Sequence, residues 1–247
     1  MSATLVILRH GQSTWNQENL FTGWHDVPLS ERGAEEARAA GRTLAEAGIW
    51  FDTSHTSVLL RAVVTQDLAM DELGQRWLPV QRHWRMNERH YGALQGLDKK
   101  QTAAEHGEEQ VKLWRRSYDV PPPVVARDDP RHPINDPRYR LLPPDVLPGS
   151  ECLADVVLRV LPYWHDVIVP QLRAGLTVLL TAHGNSLRAL VKHLEGISDQ
   201  SIAELNIPTG MPRKYVFDDL LTITEKGYLG DPAAVKAAEE EVARQAG

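Results

Sequence analysis

Two apolar runs, about 170 residues apart, each end in a His-Gly pair. The first runs from Leu5 to Leu8 and is followed by Arg9-His10-Gly11; the second runs from Val178 to Ala182 and is followed by His183-Gly184. Each run is typical of a buried strand, and glycine lets the chain turn into a loop where the strand stops. In an open α/β sheet, ligands bind beyond the carboxyl ends of the strands. The pattern therefore predicts a sheet whose edge carries both imidazoles.

The remaining sequence alternates strand and helix signals, which predicts an α/β layered fold. The strand candidates are residues 4–10, 52–56, 80–84, 176–182 and, as edge strands, 213–224. The helix candidates are residues 31–47 with Ser30 as N-cap, 57–73 with Ser57 at the start, 98–117, 151–170 and 186–194.

The 247 residues are expected to form a single domain, 1–247. Nine prolines fall between residues 119 and 148, so the segment of about 119–150 is predicted to be a non-helical surface insertion within that domain. The Ala/Glu-rich end, about 230–247, is predicted to be a flexible tail, with its part after Pro232 either a loosely docked helix or frayed.

Charge and composition exclude several classes of protein. The net charge of −6 argues against non-specific nucleic-acid binding, although a local basic pocket remains compatible with it. The single cysteine, Cys152, excludes an internal disulfide and a Cys-rich metal site. No apolar run reaches transmembrane length and the first strand begins near residue 4, so a cytoplasmic protein without membrane contact is expected.

The Arg9-His10 pair suggests phosphoryl chemistry. A lone histidine at a strand end is usually structural, but a neutral imidazole is also a good nucleophile toward phosphorus. The neighbouring guanidinium of Arg9 would disfavour a second positive charge on His10 and could grip phosphoryl oxygens with its planar fork. His183, if charged by the phosphate, would donate to those oxygens in the transition state.

Several further residues are candidates for the same site. Each is ambiguous alone, and together they support one another. Arg61 would be a second phosphate clamp if the start of its helix faces the same edge. Glu88 would act as general acid and base for a substrate hydroxyl, because a bound phosphate favours the protonated carboxyl by like-charge repulsion. For Lys99, Arg115 or Arg116 alone, a solvated helix charge is the favoured interpretation; as a set, the three could bind a carboxylate or a second phosphate.

Metal and nucleotide sites have no signature in this chain. There is no His-x-His, no His-Glu-x-x-His and no Asp-rich loop, although the chain has ten histidines. A P-loop and a Gly-x-Gly-x-x-Gly motif after a strand are also missing from the sequence.

The motifs together resemble the cofactor-dependent phosphoglycerate mutases of the histidine phosphatase superfamily. The resemblance is carried by Leu8–Asn16, Phe21–Trp24, Asn87–Leu97, Trp114–Arg116, Ala182–Leu190 and Asn206–Gly210. The resemblance covers residues 4–217, and no candidate position departs from the pattern. Arg-His-Gly is shared by the whole superfamily, whereas Asn87–Leu97 is much more specific to the mutases. The Pro-rich segment lies where the mutases keep an insertion that smaller phosphatases lack.

The resemblance implies a three-layer αβα sandwich with a mostly parallel central sheet, and the interconversion of 2-phosphoglycerate and 3-phosphoglycerate. It implies a phosphohistidine at His10, Glu88 as proton donor and acceptor, and Arg9, Arg61 and His183 around the phosphate. The implied substrate-binding residues are Arg9, His10, Gly11, Gln12, Ser13, Thr14, Trp15, Asn16, Thr22, Gly23, Arg61, Glu88, Arg89, His90, Tyr91, Lys99, Arg115, Arg116, Gly184 and Asn185.

It also implies 2,3-bisphosphoglycerate as phosphoryl primer, no metal, a small phosphorylated acid as substrate, and a homo-oligomer, either a dimer or a tetramer. Two alternatives remain open. A broad-specificity histidine phosphatase would release the phosphoryl group to water, and an inactive phosphoryl-binding protein would not transfer it at all.

Overall fold

The computed structural model describes residues 2–245 and contains a six-stranded sheet with helices on both faces. The strands are β1 (Ala3–Arg9), β2 (Thr53–Thr56), β3 (Val80–Arg82), β4 (Thr177–Ala182), β5 (Arg213–Phe217) and β6 (Ile223–Tyr228). The α-helices are α1 (Thr14–Gln17), α2 (Glu31–Glu46), α3 (Leu60–Leu73), α4 (Lys99–His106), α5 (Glu108–Arg116), α6 (Leu153–Tyr163), α7 (Val169–Arg173), α8 (Gly184–Glu195) and α9 (Pro232–Gln245).

The strand order is β3-β2-β4-β1-β5-β6. The first four strands in this order are parallel, and β5 and β6 are antiparallel additions at one edge. In the β1–β4 pair Arg9 is opposite Ala182, so the residues that follow, His10 and His183, leave the sheet side by side. The predicted mostly parallel sheet is confirmed.

Two hydrophobic layers hold the sheet because alternate residues of β1 point to opposite faces. Leu5 and Ile7 pack against apolar residues of α6, α7 and α8. Val6 and Leu8 pack against α2 and α3. The arrangement confirms the three-layer αβα sandwich.

Three helices differ from their predicted spans for local reasons. The predicted helix 98–117 is two helices, because Gly107 adopts φ +87° between α4 and α5. The predicted helix 57–73 begins only at Leu60, with Leu59 as its N-cap. The predicted helix 151–170 contains a π-helical turn at Trp164–Ile168, just before Pro170, which has no amide hydrogen to continue the regular ladder.

The Pro-rich segment holds three one-turn 3₁₀ helices, at Pro133–Asn135, Pro137–Tyr139 and Pro144–Val146. At the other end of the chain, α9 docks through buried Val235 and a bidentate contact from Arg32 to Glu241. The flexibility predicted for this tail stays a prediction, and its residues 246 and 247 lie outside the described part. No helix within residues 2–245 is long and apolar enough to cross a membrane.

A close crossing of two loops explains why Gly11 follows His10. A Cβ on Gly11 would lie 2.1 Å from the Gly33 carbonyl oxygen, and a Cβ on Gly33 would lie 1.9 Å from the Gln12 carbonyl oxygen. Both residues must lack a side chain for the loop after β1 to pass over the first turn of α2. Gly11 therefore shapes the loop that leaves His10.

Candidate active site

His10 and His183 lie next to each other beyond the carboxyl ends of β1 and β4. Their ring centroids are 4.9 Å apart, and both side chains are buried. The backbone amide of His10 donates to the Ala182 carbonyl at 3.0 Å, which extends the strand pairing to the histidine itself. The structure thus places the two imidazoles at one edge of the sheet.

The hydrogen bonds of His10 fix which nitrogen is free. Its Nδ1 lies 2.7 Å from the Gly11 carbonyl oxygen, which can only accept, so Nδ1 carries the proton. Nε2 is therefore unprotonated, and its lone pair accepts a hydrogen bond from Nε of Arg61 at 3.3 Å. Burial, reinforced by the charges of Arg61 and Arg9, holds the pKa of His10 well below its usual range. His10 is therefore a neutral imidazole with Nε2 available as nucleophile.

Arg61 lies in the first turn of α3 and its guanidinium is fully buried. Its Nη2 donates to the Gly23 carbonyl at 2.8 Å and its Nη1 to the His25 carbonyl at 3.1 Å. Burial lowers the pKa of Arg61 to about 10, so the group is still charged at neutral pH. A rigid cation is therefore held directly beside Nε2 of His10.

His183 has one nitrogen paired and one free. Its Nε2 lies 2.7 Å from Oγ of Ser57, while Nδ1 is buried with no hydrogen-bond partner among the described residues. Burial and the neighbouring Arg61 and His10 hold the pKa of His183 well below its usual range. The charged form predicted from the sequence therefore requires a bound anion. Ser57, expected at the start of α3, instead precedes the helix and is the hydrogen-bond partner of His183.

Glu88 is a buried carboxyl at the same edge. Its Oε1 accepts the backbone amides of Arg89 at 2.6 Å and Asn185 at 3.2 Å. A Cβ built on Gly184, the first residue of α8, would lie 3.6 Å from Oε2 of Glu88 and 3.5 Å from Nε of Arg9. Glu88 and Arg9 therefore face each other across a glycine that keeps the space between them open.

We expect Gly184→Ala to lower kcat/KM on the order of tenfold, because the methyl group fits in van der Waals contact with Arg9 and Glu88 and takes space that the lining of the cleft leaves open to the substrate. The free energy of unfolding should not fall, since alanine is favoured over glycine in helices by up to about 1 kcal/mol. Gly227→Ala is the matched control, because a Cβ there meets nothing within 4 Å. Equal activities of the two variants would contradict the placement of Gly184.

The cleft beside His10 has a strongly cationic lining. Among the described residues Glu88 is the single acidic one that lines it, and the basic ones are Arg9, Arg61, Lys99, Arg115, Arg116 and Arg188. Arg115 and Arg116 belong to the last turn of α5, and burial lowers the pKa of both guanidinium groups. Nε of Arg9 is buried without a hydrogen-bond partner in residues 2–245. This donor set fits a small ligand with several negative charges.

Most of the predicted substrate-binding residues line this cleft, but some lie behind it. Those in the lining are Arg9, His10, Asn16, Thr22, Gly23, Arg61, Glu88, Tyr91, Lys99, Arg115, Arg116, Gly184 and Asn185. The predicted residues outside the lining are Gly11, Gln12, Ser13, Thr14, Trp15, Arg89 and His90.

Two of the residues outside the lining, Ser13 and Arg89, support residues within it. Oγ of Ser13 accepts the backbone amide of Asn16, which caps α1. Arg89 is fully buried, with its guanidinium 4.5 Å from the ring centroid of Tyr91, and it donates to the Arg115 carbonyl at 2.9 Å. Arg89 therefore holds two lining residues without facing the cleft.

Sequence reasoning missed two polar residues of the lining, Arg188 and Asn206. Arg188 donates to Oδ1 of Asn185 at 2.9 Å, while Nδ2 of Asn185 donates to the Tyr91 hydroxyl at 3.4 Å. Burial lowers the pKa of Arg188 to about 9. Oδ1 of Asn206 accepts Nη2 of Arg116 at 3.0 Å. The spacing offered one signal, since Arg188 lies one helical turn after Asn185.

Among residues 2–245 no cluster of three or more His, Cys, Asp or Glu side chains is arranged to hold a metal ion.

Comparison with known proteins identifies close relatives. The family model of the histidine phosphatase superfamily, branch 1, matches residues 5–132. The 2,3-bisphosphoglycerate-dependent phosphoglycerate mutase of Nitratidesulfovibrio vulgaris (strain DP4) is 58% identical over 243 residues, which are 98% of this chain and 97% of that protein.

Solved structures share the fold at lower identity. A mycobacterial glucosyl-3-phosphoglycerate phosphatase superposes with a TM-score of 0.67 at 23% identity, covering 92% of this chain and 97% of that one. The α-ribazole phosphatase of Shigella flexneri superposes with a TM-score of 0.67 at 20% identity, covering 92% and 96%. At these identities the likeness shows the fold alone.

Proposed function

Because the chain belongs to the histidine phosphatase superfamily, branch 1, and within it to the family of the 2,3-bisphosphoglycerate-dependent phosphoglycerate mutases, we propose that it interconverts 2-phosphoglycerate and 3-phosphoglycerate. One observation carries the proposal. The cleft combines a histidine nucleophile and a buried carboxyl at one end with a group of additional cations, Lys99, Arg115 and Arg116. A simple phosphatase needs only the nucleophile and the carboxyl. The additional cations are needed to hold a second charged end of the substrate.

His10 takes up the phosphoryl group. Nε2 attacks phosphorus, the N–P bond forms, and the P–O ester bond breaks with its electron pair going to the leaving oxygen. Arg61, beside Nε2, and Arg9, with its unpaired Nε, are placed to donate to the phosphoryl oxygens as their charge spreads in the transition state. The phosphate would also raise the pKa of His183, so that the charged ring adds a further donor.

Glu88 moves the proton. As the ester bond breaks, the leaving oxygen takes a proton from the Glu88 carboxyl, and in the return step the carboxylate takes a proton from the accepting hydroxyl. Oε1 is occupied by two backbone amides, so Oε2 is the oxygen that serves the substrate.

The donors of the cleft fit 2,3-bisphosphoglycerate, which supplies the phosphoryl group that primes His10. Arg115 and Arg116 would hold the end of the substrate that is not reacting, and Lys99 and Tyr91 line the same cleft. Guanidinium forks bind either a carboxylate or a phosphate in two hydrogen bonds, so the same pair can hold different ends as the ligand turns.

An assay of purified protein with 3-phosphoglycerate, in the presence and absence of 2,3-bisphosphoglycerate, tests the proposal. We expect 2-phosphoglycerate to form, and to form faster when the primer is present. Mass spectrometry of the intact protein should show an acid-labile phosphate on His10. Release of inorganic phosphate in place of 2-phosphoglycerate would instead identify a phosphatase. Absence of both products and of phosphohistidine would identify a phosphoryl-binding protein.

The pH dependence of KM should reflect two groups in the cleft. Burial and the nearby Arg115 lower the pKa of Lys99 to about 8, against the opposing charges of Tyr91 and Asp98. Burial would raise the pKa of Tyr91, but the guanidinium of Arg89 lowers it to about 8. Above this pH Lys99 loses its positive charge and Tyr91 gains a negative one, so both changes weaken anion binding.

We therefore expect KM for 3-phosphoglycerate to rise roughly tenfold between pH 7 and pH 9, the cost of about one charged hydrogen bond. Initial rates across this range give the profile. In Lys99→Arg, which stays charged, the rise should be smaller, and Tyr91→Phe should remove the remainder. If KM rose with pH in Lys99→Arg as steeply as in the wild type, Lys99 would not contact the substrate.

The remaining partner predictions belong to the same proposal. We expect a cytoplasmic homo-oligomer, dimer or tetramer, that requires no metal and binds neither nucleic acid nor membrane. β3 is one edge of the sheet, all three of its residues are exposed, and Trp77, which lies shortly before it, is also exposed. Light scattering of the full chain measures the number of copies.

A further inference from the structure

Behind the cleft lies a buried ion pair that does not line it. Nε and Nη2 of Arg159, on α6, donate to the two carboxylate oxygens of Glu151 at 2.7 Å and 2.9 Å. Both side chains are buried, with exposed fractions of 6% and 3%. Burying a bidentate ion pair requires that its remaining hydrogen-bonding groups also be satisfied, so the partners of this pair are informative.

The partners of Arg159 are the backbone carbonyls of the segment that carries Glu88. Nη1 donates to the carbonyl of Arg85 at 2.7 Å and of Asn87 at 3.1 Å, and Nη2 donates to that of Glu88 itself at 3.2 Å. One guanidinium therefore fixes three carbonyls within four consecutive residues.

Glu151 holds the other side of the same segment. Its Oε2 accepts the backbone amide of His90 at 2.8 Å, and its own amide donates to the His90 carbonyl at 2.9 Å. Trp24, whose indole nitrogen also donates to the Glu88 carbonyl, lies 5.5 Å below the Arg159 guanidinium. Residues 85–90 are thus clamped by side chains on both sides of Glu88.

We propose that Arg159 and Glu151 are positioning residues that set the Glu88 carboxyl at the distance from the ester oxygen that proton transfer requires. The inference rests on the proposed function. Neither side chain lines the cleft, so the pair acts through the backbone of Glu88. Loss of the ion pair should misplace the Glu88 carboxyl. The phosphoryl site at His10 and Arg61 should stay intact, because these residues belong to other segments.

If the ion pair positions the proton donor, the effect of its loss on the rate of phosphoryl transfer to His10 depends on the leaving group. An alkoxide leaves only with a proton, so transfer to His10 from an alkyl phosphate needs Glu88. A phenolate of low basicity leaves without one, so transfer from an aryl phosphate with an acidic phenol does not. Damage to the fold, in contrast, would slow both reactions alike.

The experiment measures phosphorylation of His10 in the full chain by rapid quench, with 2,3-bisphosphoglycerate and with p-nitrophenyl phosphate as donors. For Arg159→Met we expect transfer from 2,3-bisphosphoglycerate to slow by about 10- to 100-fold, the range for a misplaced catalytic group, with less than about threefold change for the aryl donor. Arg159→Lys, which keeps the charge but reaches fewer carbonyls, should fall between Arg159→Met and the wild type. In the mutase assay the loss should appear in kcat rather than KM.

Val160→Ala is the matched control, since Val160 is the next residue of α6 and is buried in the apolar core. It should lower thermal stability without making the two donors differ. Equal slowing of both donors in Arg159→Met and Arg159→Lys, or no slowing of either, would overturn the positioning role, and Glu151→Gln provides the same comparison if Arg159→Met does not fold.

Failure of the proposed function gives a different result. Wild-type protein would then accept no phosphoryl group from 2,3-bisphosphoglycerate, and the positioning role would be judged on glycerol 3-phosphate, another alkyl phosphate. If wild-type protein accepted a phosphoryl group from no alkyl phosphate, both proposals would fall.

Discussion

His10→Asn should lower mutase turnover by a factor of about 10⁴ or more, the scale on which removal of a covalent nucleophile acts. The variant loses Nε2, the nitrogen that faces Arg61. The asparagine amide can still donate to the Gly11 carbonyl, as Nδ1 of the histidine does at 2.7 Å. The local fold of the loop should therefore persist while the nucleophile is gone.

Two measurements separate the loss of chemistry from the loss of structure. Intact mass after incubation with 2,3-bisphosphoglycerate should show acid-labile phosphate on the wild type and none on His10→Asn. Thermal unfolding should show that the free energy of unfolding of the variant falls by no more than about 1–2 kcal/mol, the ordinary effect of one buried substitution. A phosphorylated variant, or one with more than about 1% of wild-type turnover, would show that another residue is the nucleophile.

The prediction of the His10–His183 pair shows what a sequence without alignment can supply. Strand ends are recognisable from the apolar runs, and parallel strands end at the same edge, so two residues far apart in the chain could be placed together. The pairing of β1 with β4, in which Arg9 lies opposite Ala182, makes this geometry direct. The order of the other strands had no comparable signal, because it depends on long-range contacts between helices and the sheet.

Side-chain partners were harder to predict than strand ends. The sequence placed Ser57 at the start of a helix, yet the helix begins at Leu60 and the Ser57 hydroxyl lies 2.7 Å from Nε2 of His183. The break between α4 and α5 was missed because a glycine within a helical pattern is compatible with either a continuous or an interrupted helix. Arg159 reads as one more charge on an amphipathic helix, and only its three carbonyl partners reveal a role.

The distribution of charge reconciles an acidic chain with an anionic substrate. The chain has a net charge of −6, yet the cleft has six basic residues and a single acidic one in its described lining. Many carboxylates pair with arginines on the outer surface, as Glu241 does with Arg32. A cleft lined mainly by positive charges, with buried walls, has a strong local positive potential. Anion binding therefore does not depend on the net charge of the chain.

Glu88→Gln should lower kcat by about 10²- to 10⁴-fold, the usual contribution of general acid–base catalysis, because the amide has no proton to give at neutral pH. KM should stay unchanged or fall. The substitution removes the single acidic group in the described lining of the cleft, so the anionic substrate meets less repulsion. The glutamine oxygen can still accept the backbone amides of Arg89 and Asn185, which keeps the side chain in place.

Steady-state kinetics with 3-phosphoglycerate give kcat and KM separately, and the two phosphoryl donors then identify the step. Phosphorylation of His10 from 2,3-bisphosphoglycerate should be slowed as much as kcat, whereas phosphorylation from p-nitrophenyl phosphate should be nearly unchanged, since its leaving group needs no proton. If Glu88→Gln slowed both donors equally, the carboxylate would act on the phosphoryl group or on His10 rather than on the leaving oxygen. The decisive quantity is therefore the ratio of the two rates, because a general loss of activity changes both rates and leaves their ratio as it was.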